Sequence, residues 1–91
     1  MTKRNLILKK IGVYIRYGRK EKQMSQVAVS RKIGLSQGAL SKLENGLLEP
    51  GVIVWFKLRQ VLGEYWAQGG NDLLKEFYEK KRKDEKEEHR N

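Results

Sequence analysis

The feature that most restricts the fold is a pair of helix-start signals followed, in each case, by a short apolar pattern and a stop. Ser25 is a good N-cap for a helix over residues 26–33, and Gly34 comes directly after it, where a left-handed residue often ends a helix. Ser36 repeats the N-cap signal for a helix over residues 37–44. Because only three residues separate the two segments, the pattern predicts two short helices packed across a tight turn, a helix-turn-helix.

The flanking segments also predict helices. Leu8, Ile11 and Ile15 recur at helical spacing between basic residues, which predicts a first helix over about residues 4–22. A fourth helix is indicated over residues 52–62, an apolar segment that follows a proline and ends at a glycine. Since no segment alternates with period 2 between hairpin turns, the chain is predicted to be all-α.

A pair of glycines at residues 69–70 is the one flexible joint that the sequence suggests. Asn71 or Asp72 can cap a fifth helix after this pair, and that helix runs into a strongly charged C-terminal stretch. We therefore expect a helix-turn-helix domain over residues 1–68 and a C-terminal helix with a charged tail over residues 69–91.

Charge is distributed unevenly along the chain. Its 91 residues, enough for one compact domain, carry 20 basic and 11 acidic side chains, a formal net charge of +9. Residues 1–32 hold ten basic side chains and one acid, so this segment accounts for the whole excess. A basic surplus favours an anionic partner, such as nucleic acid, an anionic membrane surface or an acidic protein.

The composition excludes several kinds of site. There is no cysteine, and the one histidine, His89, is the third residue from the C-terminal end, so we expect no metal centre, no catalytic triad and no cofactor. No apolar run approaches the roughly 18 residues that a transmembrane helix needs. We expect a non-enzymatic, cytoplasmic protein that does not bind a membrane.

The helix-turn-helix segment resembles that of phage Cro and C1-type repressors, the lambda-repressor-like family. The family pattern has Ser-Gln at the start of the second helix, Gly-hydrophobic-Ser at the turn and hydrophobic-Ser-x-hydrophobic-Glu-x-Gly along the third helix. Every one of these anchors is present between Ser25 and Gly46, and the resemblance extends over roughly residues 8–64. It implies a five-helix lambda-repressor-like DNA-binding domain with an added C-terminal helix, and a function as a sequence-specific transcriptional regulator, a repressor.

The polar face of the third helix is suited to reading bases. A helix reaches the floor of the major groove only if no bulky side chain stands between its axis and the bases. The residues on this face are small or have flexible side chains, and most of them are polar: Ser36, Gln37, Gly38, Ala39, Ser41 and Lys42. Gln37 fits bidentate recognition of adenine, and Lys42 fits guanine acceptors or a phosphate.

Several further roles are implied by the resemblance. Gln26 occupies the place of a family residue that contacts a phosphate or a base edge, and Asn45 that of a phosphate donor. Arg19 and Glu44 have the separation at which some members form a partly buried ion pair, the alternative being that Arg19 binds DNA directly. Lys22 is a candidate phosphate contact because it lies in the basic segment.

The sequence departs from the family pattern at positions that add apolar surface. Gly18 replaces a core leucine and leaves space that Tyr14, Tyr17 or Trp55 is expected to fill. Apolar residues also occupy the loop after the third helix and sites in the helices that follow: Leu47, Leu48, Ile53, Val54, Tyr65 and Trp66. Two interpretations stay open for this set, namely a dimer or partner interface and packing beneath the fifth helix.

Three functional hypotheses follow. The first is a homodimeric transcriptional regulator, encoded by a prokaryotic cell or a phage, in which two recognition helices lie ~34 Å apart on a near-palindromic operator. A variant is the antitoxin of a toxin–antitoxin pair, whose C-terminal helix clasps a toxin. The second is a protein-interaction adaptor that uses the same fold without specific DNA reading. The third, which the composition disfavours, is an enzyme such as a small nuclease.

Overall fold

The structure, a computed structural model, describes residues 2–88, with side-chain surroundings as far as residue 85. Five α-helices follow one another: α1 (Lys3–Glu21), α2 (Gln26–Ile33), α3 (Gln37–Glu44), α4 (Val52–Leu62) and α5 (Glu64–Glu88). No strand occurs within the described part of the chain. The predicted all-α, five-helix architecture is thus confirmed.

The ends of the two central helices are set by local sequence. The Ser25 hydroxyl accepts a hydrogen bond from the backbone N–H of Ala28 at 3.0 Å, and the Ser36 hydroxyl accepts one from Ala39 at 3.1 Å. Gly34 lies in the left-handed region, with φ 70° and ψ 28°. The predicted bounds of α2, α3 and α4 are confirmed, because caps and stop residues act within a few residues of the helix ends.

The predicted start of the fifth helix is wrong. We expected it to begin after the glycine pair at residues 69–70, but α5 begins at Glu64 and continues through both glycines. A Cβ on Gly70 would lie 2.9 Å from the rings of Trp55 and Tyr14. The glycines therefore let two aromatic rings pack directly on the α5 backbone, which offsets their cost of about 1 kcal/mol each in helix propensity.

The hydrophobic core draws on all five helices. Buried apolar side chains include Ile11 and Ile15 of α1, Val29 of α2, Leu40 of α3, Leu58 of α4 and Phe77 of α5. Because α5 supplies Trp66, Ala67 and Phe77 to this core, it is an integral part of the packed body. The division predicted between residues 68 and 69 falls inside this continuous helix, and a separate C-terminal unit stays a prediction.

The space beside Gly18 is filled by Trp66, not by Tyr14, Tyr17 or Trp55. A Cβ on Gly18 would overlap the indole ring of Trp66. Trp66 Nε1 donates to the carbonyl oxygen of Tyr14 at 3.1 Å, and the Tyr14 hydroxyl donates to the carbonyl oxygen of Trp66 at 2.8 Å. This reciprocal pair joins the middle of α1 to the first turns of α5.

The C-terminal half of α5 contacts the loop between α3 and α4. The Tyr78 hydroxyl donates to the carbonyl oxygen of Pro50 at 2.8 Å, and Lys81 Nζ lies 2.7 Å from a Glu49 carboxylate oxygen. The second contact is solvent-exposed and adds little stability, whereas the first is half-buried. Through Tyr78, α5 therefore helps to fix the loop that follows α3.

Candidate nucleic-acid interface

The exposed face of α3 carries no bulky side chain and is mainly polar. Gln37, Gly38 and Lys42 are exposed and Ala39 and Ser41 are half-buried, as the predicted base-reading face requires. On the opposite side, the buried side chains of Leu40 and Leu43 anchor the helix in the core. This packing leaves the polar face outward, with a glycine and an alanine at its centre.

Ser36 combines capping with a position at the start of this face. Its hydroxyl oxygen accepts the N–H of Ala39, which satisfies one of the free donors at the N-terminus of α3. The hydroxyl proton can still be donated to a phosphate oxygen. The geometry of Ser36 is therefore compatible with the contact predicted for it.

Glu44 lies at the end of α3, and its side chain is fully buried, with 0% exposure. Its carboxylate accepts hydrogen bonds from three side chains. Arg19 Nε donates to Oε2 at 2.7 Å and Arg19 Nη2 donates to Oε1 at 3.0 Å. Arg16 Nε and Gln26 Nε2 donate to Oε1 at 3.3 Å and 3.1 Å. Arg19 Nη1 also donates to the carbonyl oxygen of Met24, so one guanidinium joins α1, α3 and the loop before α2.

These donors keep the carboxylate of Glu44 charged. Burial by itself raises the pKa of Glu44, but the hydrogen bonds from Arg19, Gln26 and Arg16 outweigh burial and hold the pKa below its usual value. The hydrogen bonds that Arg19 donates to Glu44 raise the pKa of Arg19. The expected pair of Arg19 and Glu44 thus lies within hydrogen-bonding distance, and Arg19 is turned inward, with 12% of its side chain exposed.

Gln26 is less free than the predicted DNA contact suggests. Its amide nitrogen donates to Glu44, and its side chain is half-buried between the two helices of the motif. Since an amide nitrogen carries two protons, a second proton and the carbonyl oxygen remain as possible partners for DNA. Gln26 therefore belongs, with Arg16 and Arg19, to the group of donors around Glu44, which we call the Glu44 cluster.

Asn45 is also engaged within the protein. Its Nδ2 donates to the carbonyl oxygen of Ser41 at 2.8 Å, and its Oδ1 accepts from Arg16 Nη2 at 3.3 Å. Sequence reasoning missed Arg16, which bridges Glu44 and Asn45. The available signal was its spacing, because a residue one turn before Arg19 lies on the same face of α1.

The basic residues of α1 and α2 lie mostly in solvent. Exposed cationic side chains in and around the motif include Lys9, Lys10, Lys20, Lys22, Arg31, Lys32 and Lys42. Lys22 follows the end of α1, and its ammonium nitrogen lies 3.9 Å from where a Cβ on Gly63 would stand. The Lys22 side chain thus leans toward the junction of α4 and α5.

A family model described as helix-turn-helix matches residues 15–66, more than half of the chain. The chain belongs to the Cro/C1-type helix-turn-helix family. The matched segment begins within α1, contains α2, α3 and α4 and ends at the start of α5. The family is one of DNA-binding transcription regulators, which supports double-stranded DNA as a partner of the chain.

No curated protein matches this helix-turn-helix chain with significant similarity. Within residues 2–88, none of the helices is both long and apolar enough to cross a lipid bilayer. The same residues contain no group of three or more histidine or acidic side chains suited to a metal ion.

The residues predicted as a dimer or partner interface of this helix-turn-helix protein divide into two groups. Leu47, Leu48, Ile53 and Tyr65 are exposed, whereas Val54 packs partly against the core and Trp66 is buried. Packing against α1 accounts for Trp66, which therefore cannot present its ring to a partner. Val52 and Phe56, which sequence reasoning did not include, are exposed close to Ile53 on α4.

Proposed function

We propose that this protein is a sequence-specific, double-stranded DNA-binding transcriptional repressor that reads the major groove with α3. The observation that carries the proposal is the exposed face of α3, which is mainly polar and has no bulky side chain. The opposite face of α3 is buried in the core, and hydrogen bonds fix its last residue, Glu44. Family membership supports DNA as the partner.

Base reading is assigned to Gln37 and Lys42. Both are exposed, and Gly38 and Ala39 next to Gln37 leave room for the helix to approach the groove floor. Gln37 forms a bidentate pair with adenine, and Lys42 donates to guanine acceptors or a phosphate. Ser36 and Ser41 donate from the edges of the same face.

Positioning on the phosphates is assigned to the residues around this face. Lys22, Gln26 and Asn45 supply donors, and the basic excess of residues 1–32 supplies salt-sensitive affinity that does not depend on sequence. Because the guanidinium groups of Arg16 and Arg19 neutralise the buried carboxylate of Glu44, it does not repel the DNA backbone. Its role is to hold α1, α2 and α3 in one orientation.

Dimerisation is part of the proposal. One α3 helix reads few base pairs, so a two-fold dimer on a near-palindrome is needed for useful specificity. The exposed apolar side chains of Leu47, Val52, Ile53 and Phe56 support an interface built from the α3–α4 loop and the start of α4. Binding of such a dimer across a promoter would block polymerase.

Selection of bound sites from random double-stranded DNA, repeated at several salt concentrations, tests this function. We expect enrichment of a short motif with two-fold symmetry and a linear fall of log affinity with log salt concentration. Absence of any enriched motif would contradict specific reading. Specific binding that survives combined Gln37→Ala and Lys42→Ala substitution would contradict reading by α3.

A further inference from the structure

A groove of about 440 Å³ lies between the end of α1 and the junction of α4 and α5, and of its lining residues only Lys22 has a part in the proposed DNA binding. Four aromatic side chains line it: Tyr14, Tyr17, Tyr65 and Trp66. Its volume is within the range of about 300–1,000 Å³ that is usual for small-molecule sites. An aromatic lining is typical of such ligand sites.

Two of the four rings are already held in place. Tyr14 and Trp66 are joined by their reciprocal hydrogen bonds, and their rings stack with centroids 5.4 Å apart. Tyr17 stacks on Tyr14 with centroids 6.4 Å apart. Tyr65 is 92% exposed at the rim, so its ring is available to a bound molecule. Tyr14 and Trp66 thus form a fixed inner wall, and the rings that a ligand would meet are those of Tyr17 and Tyr65.

The carboxylate of Glu21 favours a cation in the groove. Glu21 and Glu64 both line it, but Glu64 is paired with Arg59, whereas Glu21 is the single acid among the first 32 residues of this basic chain. The helices α1 and α4 end here and α5 begins here, so two of the three helix ends at the groove present the negative end of the dipole. Glu21 lies one helical turn after Tyr17 and therefore shares that face of α1, and its carboxylate raises the pKa of Tyr17.

We propose that this groove binds a small organic cation, an ammonium or guanidinium compound, against the faces of Tyr17 and Tyr65. Attraction between a cation and aromatic faces is the main source of affinity, and the carboxylate of Glu21 adds to it. Such binding would give the protein a ligand-responsive surface that is independent of the proposed reading of DNA.

Lys22 is the internal competitor of this ligand. It lines the groove, and its ammonium lies 3.9 Å from where a Cβ on Gly63 would stand. A bound cation must share the groove with this charge or displace it. Removal of the Lys22 charge should therefore strengthen binding, while removal of the Glu21 charge should weaken it.

The binding experiment uses nuclear magnetic resonance on the full chain. The probe is benzyltrimethylammonium, and charge dependence is tested by comparing choline with its neutral isostere 3,3-dimethyl-1-butanol at constant ionic strength. We expect saturable shifts of the amide signals of Gly63 and Tyr65 with both cations and much smaller shifts with the alcohol. N-acetyl-argininamide represents the arginine side chain of a protein. Comparing its affinity with that of choline distinguishes a protein side chain from a free small molecule as the natural ligand.

Matched variants test the assignment of residues. Tyr65→Ala should raise the dissociation constant about twofold to fivefold, whereas Phe56→Ala, at an exposed aromatic outside the groove, should leave it unchanged. Glu21→Gln should weaken binding about threefold and Lys22→Gln should tighten it, with the exposed Glu76→Gln as control. All these side chains are solvent-exposed, and the amide spectrum of each free variant checks that it folds.

Three results would overturn the proposal. They are no saturable shift with any cation, equal shifts with choline and the alcohol, and equal effects of Tyr65→Ala and Phe56→Ala. None of these results bears on base reading by α3, which the site selection tests separately.

Discussion

Gly12 of α1 lies directly against the backbone of Glu44 at the end of α3. A Cβ on Gly12 would stand 2.5 Å from the carbonyl oxygens of Leu43 and Glu44, a distance at which the backbone itself must move. This close approach brings α1 near enough for Arg16 and Arg19 to reach the Glu44 carboxylate. The orientation of α3 therefore depends on a glycine outside the helix-turn-helix.

Gly12→Ala should destabilise the fold by about 1–3 kcal/mol, because the added methyl group meets backbone that cannot move aside without shifting α3. The free energy of unfolding is measured by urea denaturation. Gly51→Ala is the matched control, since nothing lies within 4 Å of the position of its Cβ. Equal stability of the two variants would contradict the close packing of α1 on α3.

Glu44 should make stability depend on pH in the acidic range. Its pKa in the folded protein is lowered, so its contribution is complete above the unfolded pKa of about 4.3 and is lost as pH falls through the lower folded value. Glu44→Gln should therefore be less stable than the parent protein at pH 7, and the difference should shrink at pH values below about 4.

Urea denaturation at a series of pH values from neutral to acidic measures this effect. The exposed Glu76→Gln, which removes one carboxylate from α5, should follow the parent protein throughout. A constant difference between Glu44→Gln and the parent protein at all pH values would show that the charge of Glu44 is not what stabilises the cluster.

Gln37→Ala should relax the preference at one base pair of the selected site and weaken specific binding by about 1–3 kcal/mol, because a bidentate pair is lost. Affinity for unrelated DNA should stay the same. Gln60→Ala removes an exposed glutamine from α4 and serves as the control. Equal loss of affinity for specific and unrelated DNA would assign Gln37 to phosphate positioning instead.

Ile53→Asp should shift the protein from dimer to monomer, because it places a charge in the proposed apolar interface. Sedimentation equilibrium measures the mass, and DNA binding to a symmetric site should weaken while binding to a half-site should not. Val13→Asp, at an exposed apolar position on α1, is the control. A monomeric parent protein, or equal effects of both variants, would contradict this interface.

Much of the fold and part of the site followed from local patterns. Ser25 and Ser36 cap α2 and α3 as predicted, because a cap acts on amide groups within three residues of itself. Gln37 and Lys42 are exposed as predicted, because helical periodicity assigns each residue to a face. Arg16 escaped prediction because its two partners, Glu44 and Asn45, lie in a different helix and at its end.

The sequence by itself determined the first four helical segments, the tight turn of the helix-turn-helix and the basic first third, since these depend on neighbouring residues and on composition. Only the tertiary structure decided the course of α5. The glycine pair that predicts a joint lies inside a helix, because Tyr14 and Trp55, distant in sequence, pack on its backbone. Glycine permits a bend and a close contact equally well, and the choice between them depends on which side chains the fold brings to it.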